Sequence, residues 1–142
     1  MRLMIVLVVL FSVSCAGTSG INKSEIIEIR WGTSFGMCRG YCYAEYQYTP
    51  EGTRLIRKGW DTAAYPKTLE VFSPKPGEWT ELKASIDLAT FNALPERIGC
   101  PDCADGGAEW IEIITSEGGK KVTYEYGQVP TGLNAILKLL RK

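Results

Sequence analysis

The chain of 142 residues is 45% apolar, 11% aromatic and 23% charged, which are ordinary proportions for one compact domain. Its 16 Lys and Arg residues balance 16 Asp and Glu residues, so no net charge attracts DNA, RNA or an anionic bilayer. The sequence contains no histidine, which excludes the hydrolase triads and the common zinc sites that depend on an imidazole.

Residues 1–14 have the three-part layout of a secretory signal peptide. Arg2 supplies a positive charge, Leu3–Phe11 form an apolar run, and small residues then lead up to Cys15. The apolar run is shorter than the about 20 residues that a membrane-spanning helix needs. A retained membrane span is therefore the weaker interpretation.

The small residues before Cys15 resemble a bacterial lipobox, in which the cysteine is acylated and becomes the new N-terminus. The resemblance implies a lipoprotein that is anchored through Cys15 and faces the periplasm or the cell surface. Ser12 departs from the leucine that is usual at the third position before the cysteine. The alternative is ordinary signal-peptidase cleavage, before Cys15 or before Gly17, which would release a soluble protein.

The rest of the chain divides into a tether and a folded part. Residues 15–23 are rich in Gly, Ser, Thr and Asn, which is typical of a flexible tether. Residues 24–142 contain no repeat, charge block or internal linker, so we predict a single domain. Acylation of Cys15 would leave this domain four cysteines, an even number that suits an oxidising compartment.

Alternating apolar residues predict several strands in the first half of the domain. The first covers Glu25–Trp31, and its period of two is expected to place Ile27 and Ile29 on the better-buried face and Ile26 on the other.

A hairpin is predicted around Pro50–Gly52, because Pro suits a type I turn and Gly suits a positive φ. Its strands are Gly40–Thr49 and Thr53–Trp60. Two further short strands are predicted over Thr68–Phe72 and Trp79–Ile86.

The second half predicts helices around another hairpin. Asp87 is expected to cap a short helix that ends near Leu94. Trp110–Thr115 and Lys121–Tyr126 are predicted to pair as the second hairpin. Thr131–Lys142 carries an apolar stripe at helical spacing, with cations near its C-terminus.

These elements predict an α+β fold, in which an antiparallel sheet built from two hairpins carries one or two helices on one face. An all-β sandwich is the alternative fold.

The segment Gly36–Cys42 has the form Gly-x-Cys-x-Gly-x-Cys, follows an Ile-rich strand and leads into an aromatic strand. In this it resembles a family of exported bacterial domains of unknown function, over most of residues 24–142. The family usually has Pro after the second cysteine, where this chain has Tyr43. The resemblance implies a fold and an exported location, and it brings no catalytic residues.

The four cysteines of the domain allow three disulfide pairings by spacing alone. Both Cys38 with Cys42 and Cys100 with Cys103 are close enough in sequence for a bridge across a tight turn. Crossed pairings would close loops of about 60 residues, which stabilise more by chain entropy. The resemblance implies the local pairing, because the family motif forms a pair by itself.

Redox chemistry and metal binding are the alternatives to structural disulfides in these two segments. Cys100 and Cys103 have the spacing of a thiol–disulfide oxidoreductase, but a Gly-containing loop rather than a helical pattern follows them. Four thiolates fit zinc only loosely. Asp102 and Asp105 beside a Gly pair match no known calcium loop and suit a solvated turn. We therefore expect no metal and no cofactor.

Tyrosines mark the strands on which a binding surface is expected. Tyr41 and Tyr43 are predicted on one face of their strand and Tyr46 and Tyr48 on the other. Because helices would cover only one face, some aromatic rings must lie on the open face, where they suit contact with a protein, peptide or glycan. The alternative is that these tyrosines only pair across strands. The candidate binding residues are Tyr41, Tyr43, Tyr124 and Tyr126.

The sequence therefore predicts a non-catalytic, lipid-anchored cell-envelope domain that binds, inhibits or supports a partner. Its expected partners are the membrane, through the lipid, and a protein, peptide or glycan in the envelope, but not nucleic acid. The alternative from another class is a thiol–disulfide oxidoreductase that uses Cys100 and Cys103.

Overall fold

A computed structural model of the chain describes residues 24–142. The predicted signal peptide, Cys15 and the tether lie outside these residues. Within them, no helix has both the length and the apolar character that crossing a bilayer requires.

One sheet forms the framework of the described residues. Its order is β4-β3-β2-β1-β6-β7-β5, and every neighbouring pair is antiparallel except β5 with β7. The strands are β1 (Ile26–Ser34), β2 (Tyr43–Thr49), β3 (Gly52–Lys58), β4 (Thr68–Phe72), β5 (Arg97–Ile98), β6 (Ala108–Thr115) and β7 (Gly118–Glu125). The helices are α1 (Glu78–Ala84), α2 (Leu88–Ala93) and α3 (Asn134–Leu140), and a short 3-10 turn covers Cys103–Asp105.

Both hairpins turn in the same way. In each, a Thr-x-Glu-Gly sequence joins the strands through two residues, at Thr49–Gly52 and at Thr115–Gly118. The glycines have φ values of 140° and 143°, which other residues rarely adopt. Each threonine hydroxyl donates to the carbonyl of its glycine, at 3.3 and 2.9 Å. The first of these turns confirms the hairpin predicted at Pro50–Gly52.

All three helices pack on one face of the sheet, which we call the helix face. Residues that pair across the strands share a face, so Ile29 lies beside Ile113, and Ile111 beside Val122, on the helix face. The core joins these strand residues to apolar side chains of the helices, namely Leu82, Phe91, Ile136, Leu137 and Leu140. The opposite face, which we call the open face, carries Arg30, Tyr43 and Trp110.

The coarse fold prediction is confirmed, since the chain is α+β with a mostly antiparallel sheet. The sheet is larger than the two predicted hairpins, because β1 joins them at the centre and β4 and β5 extend the two edges. The predicted cap of α2 is confirmed, since the Asp87 carboxylate accepts a bond from the Thr90 N–H at 3.0 Å.

Two local predictions are wrong. Trp79–Ile86 is not a strand but largely α1, because Trp79 and Leu82 recur at helical spacing after the left-handed Gly77. In β1, a shift in register between Ile26 and Glu28 reverses the predicted faces at the start of the strand. Ile26 is consequently buried, and Ile27 is exposed.

Candidate functional site

A cleft of about 820 Å³ opens on the helix face between α1 and the end of α3. The core helices are centred over β1, β6 and β7, so part of β2 is left without a helix above it. The floor of the cleft is formed by β1 and β2, and Glu81 and Leu139 belong to its two walls. This volume lies within the range of about 300–1,000 Å³ that is typical of small-ligand sites.

Three aromatic side chains form a row along the floor of the cleft. Trp31 on β1 pairs with Tyr46 on β2, so both side chains point to the helix face, and Tyr48 follows two residues later on that face. The ring centroids of Trp31 and Tyr46 lie 5.4 Å apart, and those of Tyr46 and Tyr48 lie 6.1 Å apart. The planes are near parallel, at 27° and 17°. The three stacked rings give the cleft a rigid aromatic floor.

A buried carboxylate anchors one end of this row. Glu109 on β6 is 1% exposed, and its Oε1 accepts the indole N–H of Trp31 at 2.6 Å. Arg141, just after α3, donates to both carboxylate oxygens at 2.9 and 2.6 Å, and the Gly127 N–H donates at 3.2 Å. The carboxylate therefore has its charge and its lone pairs satisfied. Its role in the site is to fix the orientation of Trp31.

Charges around the cleft balance one another. Three carboxylates line it (Glu78, Glu81 and Glu109), together with three cations (Lys75, Arg141 and Lys142). The hydrogen bond from Arg141 to Glu109 raises the pKa of the guanidinium. Burial raises the pKa of Tyr48 on the floor, and the charge of Glu78 raises it further, so its phenol stays protonated at neutral pH. The cleft therefore combines donors and acceptors with no excess of either charge.

Tyr124 lies beneath the site and is fully buried. Burial raises the pKa of its phenol, and the carboxylate of Glu109 raises it further. The folded state therefore holds the phenolic proton more tightly than the unfolded state does. The associated stability is complete below the ordinary tyrosine pKa of about 10 and is lost as the pH rises above it.

For each tyrosine that stays protonated in the fold, we accordingly expect the free energy of unfolding to fall by about 1.4 kcal/mol for each pH unit well above 10. In Tyr124→Phe this loss should be smaller, whereas the exposed control Tyr126→Phe should behave like the parent. Urea unfolding curves across the alkaline range measure the difference. Equal alkaline losses in all three proteins would contradict the assignment to Tyr124.

The open face carries a second aromatic cluster. Trp110 on β6 is 3% exposed although no described helix covers it, and its indole lies over Gly32 of β1. The Tyr43 ring lies 5.3 Å from the indole centroid, and the ammonium of Lys121 lies 4.3 Å from it. The indole N–H is buried without a hydrogen-bond partner among the described residues. Tyr43, Lys121 and the backbone of β1 therefore cover the indole on the open face.

The structure does not bring the four candidate tyrosines to one surface. Tyr43 lies on the open face, and Tyr46 and Tyr48 lie on the opposite face. Tyr41 belongs to the loop before β2 and contacts Tyr65, at a centroid distance of 5.6 Å. Tyr126 follows β7, is half-exposed and lines the cleft. Tyr124 is buried in the core.

The cysteines lie in the two loops at one end of the sheet. Cys38 is joined to Cys42 and Cys100 to Cys103, with Cα separations of 5.6 and 5.5 Å. This agrees with the local pairing. The Asp102 carboxylate accepts a bond from the Gly36 N–H at 3.1 Å, which links the two loops. Within residues 24–142, no group of three or more Cys, Asp or Glu side chains is arranged to hold a metal ion.

Sequence analysis missed Glu109 and Arg141 as residues of the site. A signal for Glu109 was present, because the period of β6 places it on the same face as the buried Ile111 and Ile113. Arg141 was interpreted only as a cation near the end of a helix. Its pairing with a residue 32 positions earlier has no local signal.

Comparisons with known proteins give no family for the chain. No protein-family model matches it, and no curated protein is significantly similar to it in sequence. Function therefore has to be argued from the geometry of the described residues.

Proposed function

We propose that this chain is an exported, lipid-anchored binding module of the cell envelope, and that the aromatic cleft is its ligand site. The observation that carries the proposal is the cleft itself, about 820 Å³ in volume with Trp31, Tyr46 and Tyr48 in a row on its floor. A preformed concave site with an aromatic floor and a few polar groups is the usual form of a small-ligand site.

The ligand proposed for the cleft is uncharged and rich in hydroxyl groups, such as a short neutral saccharide. The balance of three carboxylates and three cations gives no preference for a strongly charged ligand. Carboxylates, ammonium groups and phenols satisfy ligand hydroxyls, because together they accept and donate hydrogen bonds. Aromatic rings provide apolar contact for the C–H surfaces of a sugar ring.

Binding is favoured over the thiol–disulfide alternative by the surroundings of Cys100 and Cys103. A redox cysteine is usually activated at the N-terminus of a helix, which lowers the pKa of its thiol. Here Cys103 begins only a three-residue 3-10 turn, in which Ala104 and Asp105 have positive φ values. The two disulfides instead suit a structural role, in which they stabilise the loops at one end of the sheet that bears the cleft.

A titration with matched variants tests the cleft as the binding site. The probes are panels of neutral oligosaccharides, acidic peptides and basic peptides, followed by amide and indole chemical shifts in NMR spectra. We expect a neutral oligosaccharide to bind and to shift the signals of Trp31 and its neighbours. Tyr46→Ala should weaken binding by about tenfold, which corresponds to about 1.4 kcal/mol and is the scale of one lost aromatic contact.

The control is Tyr43→Ala, because Tyr43 lies on the same strand but on the opposite face. It should leave affinity unchanged while both variants keep the circular dichroism spectrum of the parent. A ligand whose affinity falls equally in the two variants, or one that shifts no signal of the cleft, would contradict the assignment. A preference for charged peptides would contradict the proposed class of ligand, but not the cleft as the binding site.

Export, the anchor and the disulfides are tested together by the intact mass of the protein purified from its native membrane. We expect a diacyl mass on Cys15 and two bridges that survive peptide mapping without reduction. An unmodified Cys15 would contradict the lipid anchor. Free thiols at Cys100 and Cys103 would favour the oxidoreductase.

A further inference from the structure

One edge of the sheet is open to a further strand. Strand β4 is the first in the sheet order, and within residues 24–142 it pairs only with β3, so one row of its backbone N–H and C=O groups has no partner strand there. The other edge strand, β5, is only two residues long. Of the two edge strands, β4 therefore offers the longer template to an extended segment that adds to the sheet.

Strand β4 also exposes apolar side chains. Leu69 is 59% exposed, Val71 is 70% exposed and Phe72 is 43% exposed. Leu69 and Val71 lie on the open face, where Leu69 pairs with the partly buried Ile56 of β3. Edge strands in monomeric proteins are commonly short or protected by inward charges, prolines or a covering element. Pro66 and Pro74 flank β4, but within the strand an apolar stripe lies beside the free backbone edge.

Cations surround this stripe. Arg54 and Lys58 lie on the open face of β3, with Arg54 directly opposite Val71, and Lys67 immediately precedes β4. These three residues make no ion pair with any residue of the described part of the chain. The one carboxylate of β4, on Glu70, lies on the helix face and is paired with Arg57. The open face at this edge is therefore complementary to a segment that is both apolar and acidic.

A second copy of this chain fits the edge poorly. In an antiparallel pairing of β4 with its own copy, the register that pairs all five residues is centred on Glu70. That register places Glu70 directly opposite its own copy, and like charges facing each other across strands are destabilising. A two-residue shift in either direction leaves only three β4 residues of each copy paired. The occupant is therefore a different segment.

From these observations we propose that β4 binds an extended segment of a partner protein by adding it to the sheet as an eighth strand. The segment carries apolar side chains at alternate positions, which pack against Leu69 and Val71. Acidic side chains at its ends or beside the apolar ones meet Arg54, Lys58 and Lys67. The site is separate from the cleft and does not depend on the ligand proposed for it.

A displayed library of linear peptides about eight residues long tests this proposal. The bait is the full-length protein. We expect the selected peptides to alternate apolar residues and to contain Asp or Glu. Leu69→Ser with Val71→Ser should weaken their binding by at least about tenfold, because it removes the apolar stripe without changing the charge of the surface. Arg54→Glu should lower affinity for the acidic peptides.

The matched control for the double substitution is Ile27→Ser with Val129→Ser, since both residues are also about half-exposed. It should leave peptide binding unchanged, as should Tyr46→Ala in the cleft. Peptides that bind equally to the β4 variant, that carry basic rather than acidic residues, or that fail to emerge from selection would overturn the proposal. A concentration-dependent dimer that Leu69→Ser with Val71→Ser abolishes would assign the edge to a second copy and would also overturn the proposal.

Discussion

Replacing Glu109 by leucine is expected to lower the free energy of unfolding by about 3–5 kcal/mol, the range for breaking a buried ion pair from one side. The carboxylate is 1% exposed and accepts hydrogen bonds from Trp31, Arg141 and Gly127. Leucine would leave the N–H groups of Trp31 and Gly127 without an acceptor, and the Arg141 guanidinium would keep only its bond to the Gln128 carbonyl. The Trp31 ring would also lose the bond that fixes it on the floor of the cleft.

The control for Glu109→Leu is a second Arg–Glu pair on the same face of the sheet. Arg57 and Glu70 are paired, but their side chains are 39% and 43% exposed. Arg57→Met should therefore cost about 1 kcal/mol or less. Urea unfolding followed by circular dichroism measures both variants. If Glu109→Leu costs no more than Arg57→Met, the buried carboxylate does not hold the site together.

Local signals predicted most of the secondary structure. Turn residues located the first hairpin, and an Asp at an N-cap located α2, because each of these features depends on a few neighbouring residues. The strand predicted over Trp79–Ile86 is wrong, because a short segment with few apolar residues fits the period of a strand and the period of a helix equally well. The register shift in β1 also has no signature in the sequence around Ile26.

The sheet and the cleft depend on contacts that a local pattern does not contain. Strand β1 pairs with both β2 and β6, so the two hairpins become one sheet only through a strand that belongs to neither. The cleft is assembled from residues far apart in the chain, since Trp31 bonds to a residue 78 positions later. Period-two patterning does assign each tyrosine of β2 to a face. It does not indicate which face the helices cover.

The second large effect is expected on the open face, where Trp110→Ala should lower the free energy of unfolding by about 3–5 kcal/mol. This is the cost of removing a core tryptophan, and it is expected here because Trp110 is only 3% exposed. Its ring is enclosed by Tyr43, by Lys121 and by the backbone at Gly32. We therefore expect this cluster to act as a small second core on the open face, which none of the described helices covers.

Two comparisons make the prediction for Trp110 specific. Trp60→Ala is the matched control, because Trp60 is 69% exposed and its indole N–H donates one hydrogen bond, to the Phe35 carbonyl. It should cost about 1 kcal/mol or less.

Gly32→Ala should cost about 1–3 kcal/mol, since a Cβ there would overlap the Trp110 ring. In the Trp110→Ala background that cost should shrink but not vanish, because the same Cβ also meets the Ala44 carbonyl. Additive costs in urea unfolding would contradict direct contact between the indole and Gly32. A double-mutant coupling would instead establish that the glycine is required by the tryptophan that covers it.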